Sequence, residues 1–264
     1  MHFFEIVEPG TWIDFGDLNP RERGDMENML SSLKNLFTEA TLALNLFEQS
    51  INVPDPEPTL AQYDRRMRRL GELEQLVEDE RGPSTDFFRS DIKLEAEARL
   101  KREERAEGKL PLEFEHRICY VYAKAFLFSL AGFARHLEKM VAIPGSPVGM
   151  SDICKKMVDA FPDLREVRNS AEHIEDRVRS LGNYNRPLEL KPITNGMVPP
   201  ELKALILDEL NGSTYRTTMV GGNLGEVDIT RESMVTVQGI LQEVLDAFVW
   251  KGPPVHLPGY GRLS

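Results

Sequence analysis

Apolar residues recur at every third or fourth position along most of this chain, which is the spacing of one buried face of an α-helix. Proline and glycine divide the pattern into separate segments. The most apolar segment is predicted as the central core helix, with Phe114 and Val121 among its apolar positions. The predicted helices cover about residues 25–50, 59–80, 84–107, 112–141, 151–160, 161–181, 200–210 and 231–250. Pro54, Pro56 and Pro58 predict a stiff connector, Thr59 an N-cap, and Phe88 an apolar anchor.

One stretch breaks the helical period. Polar and apolar residues alternate in STYRTTMV and EVDIT, on either side of the turn GGNLG, which predicts a β-hairpin at about residues 214–230. Residues 1–20 predict an irregular arm packed on the body, and residues 251–264 a non-helical tail. The sequence therefore predicts an all-α fold: an up-and-down helical bundle over residues 21–250 with a small β-hairpin inserted before the last helix.

Composition and charge narrow the class of protein. No apolar run reaches about 18 residues, so the sequence predicts no membrane span. Its first ten residues lack the pattern of a secretory signal. Cys119 and Cys154 stand alone inside apolar helical patterns, which predicts buried free thiols in a reducing cytoplasm. The formal net charge of −11 disfavours broad attraction to nucleic acid but leaves room for a small site with its own arginines.

Arginines are concentrated in two places where acidic residues alternate with them. Such a pattern is typical of a solvated surface with many ion pairs. The long charged segment over residues 84–107 has few apolar anchors, so we expect it to project into solvent or to frame a groove. The two clusters comprise Arg65, Arg66, Arg68 and Arg69, and Arg165, Arg168, Arg177 and Arg179.

Most catalytic motifs are missing from the sequence. It contains no phosphate-binding loop, no GxGxxG after a predicted strand, no HExxH and no CxxC pair. The histidines are scattered, and His116 and His136 lie on the most apolar helix, where we expect partly buried structural residues. The sequence therefore predicts no metal site and no cofactor.

The segment FPDLREVRNSAEHIEDRVRSL, residues 161–181, remains as the candidate for chemistry. On a helical wheel of about 100° per residue, Asn169 and His173 lie opposite its apolar stripe, and Arg168 lies about 90° to one side. Gly182 is the expected C-cap. The predicted stripe consists of Leu164, Val167, Ala171, Ile174, Val178 and Leu181.

Within this segment RNSAEH, with Arg168, Asn169 and His173, resembles the R-N-x-x-x-H signature of the HEPN superfamily (higher eukaryotes and prokaryotes nucleotide-binding). The resemblance implies a metal-independent ribonuclease of toxin or defence type that acts as a homodimer on RNA. His173 would be the general base, Arg168 would bind the phosphate, and Asn169 would orient either the imidazole ring or the phosphate. Arg168 and His173 are about 140° apart on the wheel, which favours a site completed by a second protomer.

Another interpretation of the same residues is structural. Arg168 can pair with Glu172 or Glu175 on the helix surface, and His173 can be a solvent-facing residue beside Arg177. The chain would then be a non-catalytic helical protein that binds a nucleotide, RNA, an antitoxin or another protein partner, with residues 84–107 as its contact surface.

Overall fold

The computed structural model describes residues 1–51, 60–87, 89–182, 186–193 and 203–259 of the chain. Eight helices and seven short strands lie in these ranges, so the predicted mainly helical character is confirmed. The proline connector predicted at residues 54–58, the N-cap Thr59 and the anchor Phe88 lie outside the described residues.

The elements follow one another in an order that mixes helices with short strands. The helices are α1 (Pro20–Ile51), α2 (Leu60–Arg81), α3 (Ser90–Ala106), α4 (Leu112–Val141), α5 (Met150–Ala160), α6 (Leu164–Glu172), α7 (Ile174–Val178) and α8 (Arg231–Asp246). The strands are β1 (Ile6–Glu8), β2 (Trp12–Ile13), β3 (Glu209–Asn211), β4 (Thr214–Thr218), β5 (Leu224–Asp228), β6 (Trp250–Lys251) and β7 (Val255–Leu257). Contacts divide the chain into two compact units, unit 1 with Met1–Glu48 and Tyr120–Ser264, and unit 2 with Gln49–Cys119.

The core of unit 1 contains the apolar faces of α1, α4 and α8. Phe126 and Phe133 of α4 are buried there, as is Leu241 of α8. Gly132 marks a close approach between α1 and α4, because a Cβ at this position would lie 2.9 Å from Leu36 Cδ2. A larger residue at Gly132 would therefore force the Leu36 side chain to move.

Helix α4 is the one helix in the described ranges that is long and apolar enough to cross a membrane. Its most apolar 18-residue window has a mean hydropathy of 1.2 and is 44% buried inside the fold. A core helix of a water-soluble protein has the same length and composition. The absence of a membrane span and the cytoplasmic location therefore stay predictions.

Strands β3, β4 and β5 form an antiparallel sheet. Thr214 pairs with Asp228 in the register of β4 and β5, so the predicted hairpin is confirmed. The helix predicted over residues 200–210 is wrong in its described part, 203–210, where Thr218 donates its backbone N–H to the Ile206 carbonyl at 2.6 Å and β3 begins at Glu209. A short continuous apolar run fits a buried strand or a buried helix equally well, so periodicity alone gave the wrong element here.

The first and last strands of unit 1 are paired with each other. Ile6 of β1 lies opposite Leu257 of β7, and Trp12 of β2 lies opposite Lys251 of β6. Residues 1–20 therefore contain two short strands where the sequence predicts an irregular arm. Together with the three-stranded sheet, these ribbons show that the all-α class is wrong. The protein is mainly helical with antiparallel β-structure, and the up-and-down bundle stays a prediction.

Unit 2 contains the helices α2 and α3, which pack as an antiparallel pair. The direction follows from their ion pairs, because Arg66 near the start of α2 meets Glu104 near the end of α3, at 2.9 Å. Arg69 likewise pairs with Glu103 at 2.7 Å, so the predicted ion-paired surface is confirmed for both arginines. A small apolar core of Leu73, Ala96 and Leu100, with Leu70 packed against it, lies between the two helices.

Two side-chain predictions need correction. Cys119 and Cys154 are free, as expected, but both are half-buried rather than buried. Burial raises the pKa of the Cys154 thiol above its ordinary value. His116 is exposed rather than partly buried, whereas His136 is half-buried and its Nδ1 lies 2.8 Å from the Gly132 carbonyl oxygen.

Candidate functional site

Helix α6 carries the first part of the RNxxxH motif and packs on the hairpin strands β4 and β5. Leu164, Val167 and Ala171 are buried, as the apolar stripe predicts. Gly225 of β5 lets the helix approach closely, because a Cβ there would lie 2.7 Å from Val167 Cγ2. The helix is also tied to the hairpin at its start, where the Glu226 N–H donates to Asp163 Oδ2 at 3.2 Å. The sheet therefore fixes the position of the motif helix.

The helix predicted over residues 161–181 is not continuous. It breaks at His173, whose φ of −107° and ψ of 45° lie outside the helical region. The His173 N–H still bonds the Asn169 carbonyl at 3.0 Å, and its own carbonyl accepts from Asp176 at 3.2 Å. The chain thus bends at His173, between α6 and α7.

The break changes which side chains face inward. Val178, predicted to continue the buried stripe, is 60% exposed, and Ile174 is only half-buried. Arg177 of α7 is buried. The unbroken wheel instead predicts that it lies beside a solvent-facing His173. The helical wheel fails after residue 172 because it assumes one constant phase. The wheel angle between Arg168 and His173 therefore does not apply to the folded chain.

The end of α7 also differs from the prediction. Ser180, not Gly182, takes the left-handed conformation that ends the helix, with φ of 56°. The Ser180 N–H bonds the Arg177 carbonyl at 2.8 Å, and the Leu181 N–H bonds the Asp176 carbonyl at 2.9 Å. These two bonds form a Schellman motif, which ends the helix two residues before the glycine.

Arg168 is held by three groups of its own unit. Its Nη2 donates to Glu172 Oε1 at 3.1 Å, its Nη1 also pairs with Glu172, and Nη1 donates to Asn169 Oδ1 at 3.1 Å. The guanidinium carbon lies 5.4 Å from the centre of the Phe128 ring on α4, in cation–π distance. Its side chain is 16% exposed, so the guanidinium lies close to the surface but is partly covered.

His173 is the most accessible residue of the motif. Its side chain is 57% exposed, and Nδ1 lies 3.7 Å from Glu175 Oε1. Asn169 is half-buried and is used by Arg168 rather than by the imidazole. No hydrogen bond or ion pair joins Arg168 to His173 in the described residues of the chain. The structure therefore brings Arg168 and Asn169 together and leaves His173 on the adjoining surface.

The His173 imidazole is part of a small cluster of possible metal-ligating side chains. One ligand atom each of His173, Glu175 and Asp176 lies within 4.8 Å of the others. Nitrogen and carboxylate oxygen donors suit several divalent metals, although exposed acidic groups of this kind are common without any metal. In the sequence, the three possible ligands follow the spacing H-x-E-D, which is inconspicuous because the histidines of the chain are scattered.

Comparisons with known proteins add nothing to this geometry. No protein-family model, no curated protein and no solved structure matches the chain. Membership of the HEPN superfamily therefore stays a prediction from the residues of the motif.

Proposed function

We propose that this protein is a HEPN-like, metal-independent ribonuclease that cuts RNA at a composite site in a homodimer. The observation that carries the proposal is the exposed His173 at a helix break, five residues after Arg168, whose side chain is 16% exposed. A toxin or defence role would give such an enzyme an antitoxin or another protein partner. These roles are part of the proposal.

The chemistry needs few groups. The Nδ1 or Nε2 atom of a neutral His173 takes the proton of the ribose 2′-hydroxyl, and the 2′-oxygen attacks the neighbouring phosphorus. The bond from phosphorus to the 5′-oxygen breaks, and that oxygen takes a proton from water, leaving a 2′,3′-cyclic phosphate. Arg168 offers a planar fork of donors that matches two phosphate oxygens and the charge that grows on them.

The ion pair between Arg168 and Glu172 is compatible with this role. It joins residues one turn apart, and the Glu172 side chain is 42% exposed, so its carboxylate can turn into solvent; such pairs contribute about 0.3–0.5 kcal/mol on exposed helix surfaces. A phosphate that accepts two charge-assisted hydrogen bonds from the same guanidinium forms a stronger contact. Substrate can therefore displace the Glu172 carboxylate at small cost.

Exposed apolar side chains beside the motif support the dimer. Phe128 of α4 contacts the Arg168 guanidinium with the face of its ring. Val121 lies two turns before Phe128 on the same face of α4, and Ala125 lies one turn before it. Val121 is 61% exposed and Val178 on α7 is also exposed. A second protomer that covers this face would bring its own Arg168 and His173 to the same surface, as an isologous interface requires.

A non-catalytic binding protein is the second candidate, and one observation favours it. Arg168 satisfies its charge inside the chain, through Glu172, Asn169 and the Phe128 ring, as a purely structural arginine does. The net charge of −11 points the same way. In this case the protein would bind a nucleotide, RNA or a protein partner without cutting.

Purified protein incubated with total RNA and a metal chelator distinguishes the two. We expect cleavage by the wild type and loss of cleavage by His173→Ala and by Arg168→Ala. The matched controls are His116→Ala and Arg165→Ala, since both residues are exposed and lie outside the motif. Cleavage that survives both motif substitutions contradicts the proposal, and a wild type that binds RNA without cutting it favours the second candidate.

A further inference from the structure

Arg177 of α7 is a buried cation that has no ionic partner among the described residues. Only 4% of its surface is exposed, and no carboxylate forms an ion pair with it in the ranges that the structure describes. A buried charge destabilises a fold unless hydrogen bonds compensate it. The presence of arginine here, rather than an apolar residue, therefore calls for a specific role.

The guanidinium bridges the two sides of the helix break. Its Nε donates to the Ser170 Oγ of α6 at 3.4 Å, and its Nη1 donates to the Leu181 carbonyl at 2.6 Å. Ser170 is itself only 1% exposed, and this guanidinium is the hydrogen-bond partner of its hydroxyl. The bridge therefore closes a short loop of chain, and His173 lies inside that loop.

We propose that Arg177 is a positioning residue: by joining Ser170 to Leu181 it fixes the bend at His173 and so the direction in which the imidazole is presented. A guanidinium can hold two oxygens at once because its donors diverge from one rigid plane. An ammonium presents its three donors from a single nitrogen, and a thioether has no donor. The catalytic consequence rests on the proposed ribonuclease function, whereas the control of the bend does not.

Hydrogen exchange of single backbone amides tests the bend directly. The amides of His173, Asp176 and Arg177 close the hydrogen bonds around it. In Arg177→Met we expect them to exchange about tenfold faster than in the wild type, because local opening loses its bridge. Amides in the middle of α8 report global unfolding and are expected to stay unchanged.

Three further variants separate the bridge from general effects. Ser170→Ala removes one end of the bridge, so we expect a smaller acceleration at the same amides. Arg177→Lys keeps the charge but places all the donors on one nitrogen, so we expect partial rescue. Arg179→Met is the matched control, because Arg179 is exposed two residues further on, and it should leave the exchange of all these amides unchanged.

Cleavage kinetics extend the test if the wild type cuts RNA. Arg177→Met should then lower kcat by about tenfold while KM changes by less than about twofold, because binding groups are retained and the base is misplaced. Bend amides that exchange at the wild-type rate, or α8 amides that accelerate equally, overturn the positioning role. If the wild type does not cut RNA, the ribonuclease proposal fails, and the exchange data still decide the role of Arg177. Should Arg177→Met not fold, Ser170→Ala and Arg177→Lys give the same comparison.

Discussion

The guanidinium of Arg168 lies over the ring of Phe128, with 5.4 Å between the guanidinium carbon and the ring centre. This contact joins α6 to α4 through a residue of the motif itself. An aromatic face offers attraction without occupying the hydrogen-bond donors, so the ring orients Arg168 while its Nη atoms donate to Glu172 and Asn169. Several expected outcomes follow from the groups around it.

Phe128→Leu removes the aromatic face and keeps an apolar side chain. We expect the free energy of unfolding, measured with urea, to fall by about 1 kcal/mol. In a double-mutant cycle with Arg168→Ala, the coupling should be about 0.5–1 kcal/mol. Phe128→Tyr keeps the ring and is the control, so the interaction between the ring and the Arg168 guanidinium should persist in it. Equal coupling in the leucine and tyrosine variants would show that the ring face is unimportant.

Glu172→Gln removes the carboxylate that pairs with Arg168. If Arg168 binds the phosphate of RNA, the free guanidinium should raise the affinity for inorganic phosphate, and the rate of RNA cleavage, by about two- to fivefold. Isothermal titration calorimetry with phosphate measures the first effect. Glu166→Gln, at an exposed position in the first turn of the same helix, should change neither. An unchanged phosphate affinity in Glu172→Gln would place the phosphate away from Arg168.

Val121→Asp introduces a charge into the exposed apolar face of α4 next to the motif. A charge that becomes buried in an interface without a partner destabilises association by several kcal/mol, about 3–5 in measured cases. We therefore expect a shift from dimer to monomer in sedimentation velocity, together with loss of cleavage. Val158→Asp, at an exposed valine on α5, is the control and should stay dimeric. A Val121→Asp protein with unchanged mass and activity argues for another interface.

The ion pairs of unit 2 predict a dependence of stability on pH. The hydrogen bonds from Arg99 hold the pKa of Glu80 and of Glu95 below the ordinary value of 4.5, and those from Arg69 do the same for Glu103. A carboxylate whose pKa is lower in the folded state stabilises the fold above the unfolded pKa of 4.5. That contribution is lost as the pH falls from 4.5 through the lower folded value.

Circular dichroism melts of Glu103→Gln at pH 7 and near pH 3 provide the measurement. We expect the variant to melt below the wild type at pH 7, and the difference to shrink as the pH falls toward 3, because protonation removes the charge of Glu103. Concentrated salt should also narrow the difference. Glu97→Gln is the control, since Glu97 is exposed on the same helix and forms no ion pair in the described part of the chain. A difference that is constant with pH would indicate lost packing rather than lost charge.

Much of the fold could be predicted because its signals are local. The β-hairpin combines alternating residues with a glycine-rich turn, and Thr230, a residue type that favours N-caps, caps α8 by accepting a hydrogen bond from the Ser233 N–H. Such features depend on neighbours a few residues away. The edge strand β3 depends instead on a partner strand, and the apolar run before it contains no information on that pairing.

The candidate site was predictable in composition but not in geometry. The motif identified Arg168 and His173, and the predicted alternative pairing of Arg168 with Glu172 is confirmed. The break at His173 is held by Arg177, whose burial depends on Ser170 and on the turn at Ser180. The periodicity of apolar residues contains no information on a hydrogen bond between two side chains. A helical wheel drawn from the sequence therefore continues the helix past His173.

The pairing of β1 with β7 has a mechanical consequence. Ile6 lies opposite Leu257 and Glu8 opposite Val255. Strand β1 therefore begins, at Ile6, at the same end of the ribbon at which strand β7 ends, at Leu257. A force that pulls these two ends apart loads the three residue pairs one after another rather than all together. The ribbon would therefore unzip at low force, and a single-molecule trace should show it opening before the core around α8.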